Sequence, residues 1–194
     1  MRTLFAVCTA FSLSISLMPA IAADNAIRPA TAQTREQRVD QLFSDLKHAR
    51  SPRSAELVAG RIWNEWNRSG SASVDLMMQW SQKAIEDKKF DVALDFLDQV
   101  VTLRPKYAEG WNRRATAHFL MKNYAKSMAD IEQTLELEPR HFGALSGIAQ
   151  IMTETGRKQA ALDAWQKVLD LYPMLRNAQD QVAKLSEELA GEAI

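Results

Sequence analysis

Three prolines constrain this chain more than any other feature. Pro105, Pro139 and Pro173 stand 34 residues apart, and each closes a stretch of one design: QVVTLRP (99–105), QTLELEP (133–139) and KVLDLYP (167–173). Proline has no backbone donor and its ring collides with the preceding turn, so a helix rich in Leu and Val ends at each of them. Self-similarity at this period marks helical hairpins stacked into a solenoid.

The interior of each unit repeats with the prolines. Small residues fall one period apart at Ser81, Ala115 and Ala149 in the first half, and at Ala93, Ser127 and Ala161 in the second. Two helices reach the short end of the ~8–10 Å packing range only where facing side chains are small. Large apolar residues hold a later slot, at Leu97, Ile131 and Trp165. Turn signals separate the halves: Asp87 to Phe90, Lys122 to Tyr124, and Thr155 to Arg157 around Gly156. Ala, Leu, Gln, Glu, Lys and Met recur, and alternating runs of Val, Ile, Thr and Tyr are missing, which favours helix over strand. The fold class is all-α, with hairpins at 74–107, 108–141 and 142–175.

These units resemble tetratricopeptide repeats (TPRs), helix–turn–helix hairpins that stack into a right-handed superhelix. The middle unit matches best, with Trp111 at the early aromatic slot, Ala115 and Ser127 at the small slots, Tyr124 opening the second helix and Pro139 closing it. The third keeps Leu145, Ala149, Gly156, Ala161, Trp165 and Pro173. The first keeps Phe90, Ala93, Leu97 and Pro105, but has Met77 where the family prefers Trp. All three carry Val100, Thr134 or Val168 where the family most often has Ala.

The flanks extend the pattern. In 176–194, Val182, Leu185 and Leu189 share one face of a polar helix, as expected of a solubilising cap and tail. Upstream, 35–73 reads as a degenerate N-terminal hairpin turned at Ser51-Pro52. Its Ala59 and Trp63 lie one period before Ala93 and Leu97, yet Lys47 stands where a small residue is expected. Residues 24–34 read as a flexible linker. Residues 1–23 read as a secretory signal peptide: Arg2, an apolar or small run from Leu4 to Met18, then Pro19 and small residues for cleavage after Ala22 or Ala23. The run is short for a membrane span, which needs ~20 apolar residues. The expected location is therefore the periplasm, with a retained N-terminal anchor as the alternative. Cys8, the only cysteine, would leave with the signal, which removes thiol chemistry and disulfides from the mature chain.

Lys+Arg and Asp+Glu number 24 each, so no net field recruits nucleic acid or an acidic membrane. None of His48, His118 and His141 stands in metal-ligand spacing with another histidine or with cysteine. No phosphate loop and no nucleophile elbow is present. The expectation is no enzyme, no cofactor and no metal. His118 reads as packed and His141, in an inter-unit turn, as solvated. Trp80, Trp111 and Trp165 read as core. Trp63 and Trp66, three apart on one helix face, read either as core or as a partly exposed pair at the join with the first regular hairpin.

Family resemblance implies a concave groove lined by the first helix of each hairpin. Its candidates are Asp75, Met78, Gln79 and Gln82 from the first unit, Glu109, Asn112, Arg113, Thr116 and Phe119 from the second, and Ser146, Gln150 and Glu154 from the third. Amides, one arginine and a few apolar atoms suit an extended or helical peptide. The basic clamp by which some family members hold chaperone C-termini would fall here on Met78, Gln82, Asn112, Arg113, Gly143 and Gly147, where only the middle unit could contribute. The functional expectation is a protein-interaction scaffold in the cell envelope, with a protein or peptide partner and no membrane span after signal removal. The alternative is an assembly protein acting through self-association, although a monomer is also compatible.

Overall fold

The computed structural model describes residues 33–192; the expected signal peptide and residues 24–32 of the expected linker lie outside them. The described residues form nine helices: α1 (Arg35–Lys47), α2 (Pro52–Trp66), α3 (Ala72–Glu86), α4 (Phe90–Leu103), α5 (Ala108–Leu120), α6 (Tyr124–Leu137), α7 (Phe142–Glu154), α8 (Lys158–Leu171) and α9 (Arg176–Glu192). Among them there is no strand, and α3–α4, α5–α6 and α7–α8 are the three periodic hairpins of an all-α solenoid.

Each boundary follows from local chemistry. α4, α6 and α8 end one residue before the C-caps Arg104, Glu138 and Tyr172, which the closing prolines follow. The turn inside each hairpin also repeats: Lys88, Lys122 and Gly156, one period apart, all take the left-handed conformation (φ 58°, 59° and 72°). That conformation lets Lys89, Asn123 and Arg157 donate their N–H groups to the carbonyls of Ala84, His118 and Met152, which closes the orphan end of each first helix. Upstream, Thr34 and Ser51 cap α1 and α2 through hydroxyls that accept from Gln37 and Ser54, and Pro52 opens α2 where no donor is needed.

The small slots lie where the period puts them. Ser81, Ala93, Ala115, Ser127, Ala149 and Ala161 are all buried, and the Ser127 hydroxyl donates to the Ala115 carbonyl at 2.9 Å across its hairpin. Leu97, Ile131 and Trp165 fill the large slot, each burial contributing about 1.5–3 kcal/mol. At the C-terminal end Leu185 of α9 is buried with Val168 and Trp165, and Val182 and Leu189 pack beside it.

The N-terminal hairpin departs from the stack. Its apolar face gathers Val39, Phe43, Leu46, Ala55, Ala59, Ile62 and Trp66 with Phe142 and Tyr172, rather than with α3–α4. It therefore lies along the turns that join successive hairpins. Trp66 stacks on His141 at 4.1 Å, Trp63 meets Phe142 edge-on at 5.5 Å, and Arg140 reaches Asp40 at 2.8 Å and covers the Phe43 ring at 4.5 Å. The expected join of Trp63 and Trp66 with the first regular hairpin is thus corrected: their partners are His141, in the turn before α7, and Phe142 at its start. Lys47 cannot nest against a neighbouring helix as Ser81 does, while the bulk of Trp63, Trp66 and Phe43 demands an apolar partner of similar size.

Candidate functional site

The inner wall is built by α3, α5 and α7, and only part of the expected set faces open space. Gln79 is exposed and Gln150 half-buried, and neither amide is bonded within the described residues. Thr116 is exposed and its hydroxyl donates to the Asn112 carbonyl, while Ser146 donates to that of Phe142. Between α5 and α7 lies a notch of about 170 Å³ lined by Asn112, Thr116, Phe119, Ile131, Gly147 and Gln150. The notch exists because Gly147 has no side chain, since a Cβ there would stand 3.0 Å from Ile131. Glu154, exposed, accepts from the Tyr124 hydroxyl at the far end of the wall. A second hollow, of about 570 Å³, lies by Gln79, Gln82, Lys83, Glu86 and Arg113.

Other expected contacts are spent inside the protein. Met78 is core, packed with Val74 and Leu97. Asp75 accepts from the backbone and hydroxyl of Ser69 and orders the entry to α3. Glu109 is 1% exposed and cannot meet a ligand. Its carboxylate accepts from the Asn112 amide at 2.8 Å, from Arg113 at 2.6 Å and from His141 at 3.2 Å. Arg113 also donates to Gln82 at 2.8 Å and to Asn67 at 3.3 Å, so its five donors are largely committed. Burial removes Met78 and Glu109 from the expected contacts, and Glu109, Asn112, Arg113, Gln82 and His141 form a polar joint that reaches the end of α2.

His141, expected in solvent, is fully buried at the centre of that joint. Its Nδ1 accepts the Ala144 N–H at 3.1 Å and so carries no proton, which leaves Nε2–H to donate to Glu109. Burial alone would push the Glu109 carboxyl up, but the His141 hydrogen bond and the Arg113 guanidinium outweigh it and hold it below the ordinary glutamate value. Glu109 therefore stabilises the fold above the unfolded value of 4.5 and loses that contribution as pH falls through the folded one. Leaving Arg113 without Glu109 would strand a half-buried charge.

His118 is packed, as expected, with Nε2 4.0 Å from Asp130. Trp165 is core, and Trp111 is half-buried, its N–H donating to the Pro105 carbonyl. Neither Trp111 nor Trp80 is the core residue expected, and Trp80 departs further: it is 48% exposed, against Phe96. Two further contributors lie outside the expected groove set. Trp63 covers Gly143, whose Cβ would stand 2.8 Å from the indole, and Asn67 accepts from both Arg113 and Tyr107. Both come from the N-terminal hairpin, whose placement leaves no periodic trace. Among the described residues no group of three or more His, Cys, Asp or Glu could hold a metal ion, and no helix is long and apolar enough to cross a membrane.

No family model matches the chain. A TPR repeat-containing protein of Rhizobium etli is 53% identical over 185 residues, which cover 94% of this chain and 91% of that protein. The first TPR domain of Spaghetti (RPAP3), solved with the HSP90 peptide SRMEEVD, superposes with a TM-score of 0.57 at 22% identity, over 60% of this chain and 93% of that one. The TPR2B domain of yeast Sti1, solved as a complex with pHsp70, gives 0.56 at 15% identity, over 61% and 99%. With a period of 34 residues, buried small slots in phase with it, and a relative aligned along nearly its whole length, the chain belongs to the TPR repeat-containing proteins.

Proposed function

We propose that this protein holds an extended peptide, or an extended segment of a partner protein, along the inner wall of α3, α5 and α7, and that it does so without catalysing a reaction. The observation that carries this reading is the pairing of unspent amides, Gln79 and Gln150, with the apolar notch at Phe119, Ile131 and Gly147. A peptide main chain offers alternating donors and acceptors that amides can match, and one apolar side chain can enter the notch. Solved TPR domains that hold HSP90 or Hsp70 peptides support the general role. The ligand chemistry differs here, because Arg113 is neutralised by Glu109 and Trp63 covers Gly143. An internal, uncharged segment fits this wall better than an acidic C-terminus. The N-terminal apolar run supports a place in the cell envelope, either exported or anchored by that run.

Site-specific photocrosslinking tests the wall. A photoreactive residue at Gln150 should capture a discrete partner in envelope extract, whereas one at Lys126, exposed on α6, should not. Equal capture at both positions, or none at Gln150, would show that the wall is not the binding surface. Self-association is the second reading, and the exposure of Trp80 favours it.

A further inference from the structure

The regular hairpins share one geometry, so equivalent slots can be compared one period apart. Arg114 on α5 pairs with Asp130 on α6 at 2.7 Å and reaches Asp98 on α4 at 2.8 Å, so this pair faces the preceding hairpin. Gly110 and Ala117 lie against the same neighbour: a Cβ on Gly110 would stand 2.8 Å from Val100, and Ala117 is buried in the cluster that holds Val100. In the third hairpin the slots of Gly110, Arg114 and Ala117 hold Ala144, Ile148 and Ile151, packed with Ile131 and Leu135 of α6. In the first they hold Leu76, Trp80 and Lys83, and Phe96 stands in the slot of Asp130. Among the described residues no hairpin covers them, because α1–α2 lies on the third hairpin instead. Leu76 is 42% exposed, and Trp80 packs on Phe96 at 5.4 Å where the next hairpin has an ion pair.

We propose that this open face of α3–α4 docks on the same face of a second copy of the chain, forming a two-fold dimer. Three observations select a second copy as the occupant. The face is the one that in α5–α6 and α7–α8 is covered by a preceding helix pair, so it is of a size and character that a helix pair covers. Charge around the aromatic pair is mixed, with Lys83 and Lys89 beside Asp87, and Asp95 one turn from Val92. Two copies therefore meet without net repulsion, and a strongly charged partner would find no counterpart. The opposite end of the array is closed by α9, whose exposed residues include Asn177, Asp180, Lys184 and Glu187. A head-to-tail chain would need an apolar tail to receive the open face, so association stops at two copies.

The size of the face suits a reversible association. Helices of 15 and 14 residues are about 21–23 Å long and lie ~10 Å apart. Two such faces remove roughly 1,000 Å² of surface, the low end for specific interfaces. The dimer should be reversible, with a dissociation constant on the order of micromolar.

Sedimentation velocity on the purified full chain, from about 1 to about 300 µM, tests this. The expected result is a monomer–dimer equilibrium with no larger species. Trp80→Glu and Leu76→Lys should each weaken it by about tenfold or more with the helical circular dichroism unchanged. Leu57→Glu, at a 67% exposed leucine on α2 away from the face, should leave it intact. A monomer throughout, growth beyond dimer, association that survives both substitutions, or equal loss in Leu57→Glu would overturn the proposal. Should Trp80→Glu reduce the helical signal, Leu76→Lys alone decides.

Discussion

The N-terminal hairpin and the three regular hairpins are made of similar helices, yet they are held by different means. In α3–α8, small residues at Ser81, Ala93, Ala115, Ser127, Ala149 and Ala161 let helices nest, and the same contacts recur every 34 residues. In α1–α2, the rings of Phe43, Trp63 and Trp66 find His141 and Phe142 as their ring partners outside the hairpin, and no small residue answers Ser81 because Lys47 stands there. Ion pairing follows the same division. Arg38 grips Glu65 within the first hairpin and keeps that carboxyl below its ordinary value, and Asp40 reaches out to Arg140 before α7, whereas Arg114 links two successive hairpins. A periodic hairpin is specified by complementary faces on both sides. A hairpin with one bulky apolar face goes where its rings find apolar partners, here Phe142 and Tyr172.

That contrast can be broken most severely at Trp66. Trp66→Ala should cost about 3–5 kcal/mol, and hydrogen exchange should show lost protection in α1 and α2 with α5–α8 preserved. Uniform loss across all helices would mean that the first hairpin and the array are one cooperative unit. Ala115→Leu attacks the other mode of packing: overfilling the α5–α6 contact should cost about 1–3 kcal/mol, measured by urea denaturation. Lys126→Leu, on the exposed side of α6, should change stability by less than about 0.5 kcal/mol, and similar costs at both positions would contradict the nested packing. Lys122→Gly should raise stability by up to ~1 kcal/mol, since glycine accepts the left-handed turn that Lys122 adopts at φ 59°.

The smallest effect separates two titrations within the array. Burial lowers the His118 pKa from 6.5 more than Asp130 raises it, so the unfolded chain binds that proton more readily. Stability from this group is full above pH 6.5 and declines as the pH falls below it. His118→Gln should remove that part of the pH dependence of the melting temperature. The further loss below pH 4.5, to which Glu109 contributes, should remain. An unchanged profile above pH 4.5 would show that His118 is not the group involved.

Much of the inner wall was legible from helical spacing alone, because a repeat of known period fixes which positions of α3, α5 and α7 share that side. Gln79, Thr116, Phe119 and Gln150 lie there. Glu109 and Met78 were misread for a common reason: spacing gives direction but not depth, and both positions are covered by neighbouring side chains. His141 was misread because an inter-hairpin turn is normally wet, and only the docking of Trp66 removes it from water.

The sequence by itself determined the helices, their ends and the stacking of three hairpins, because prolines, small residues and large apolar residues act within or between adjacent units and so leave a 34-residue imprint. Tertiary structure alone decided where the first hairpin lies, which groove residues are spent in the Glu109 joint, and that the aromatic face of α3–α4 stays open. Those outcomes depend on contacts made once, between residues far apart in the chain, and a contact made once has no period to betray it.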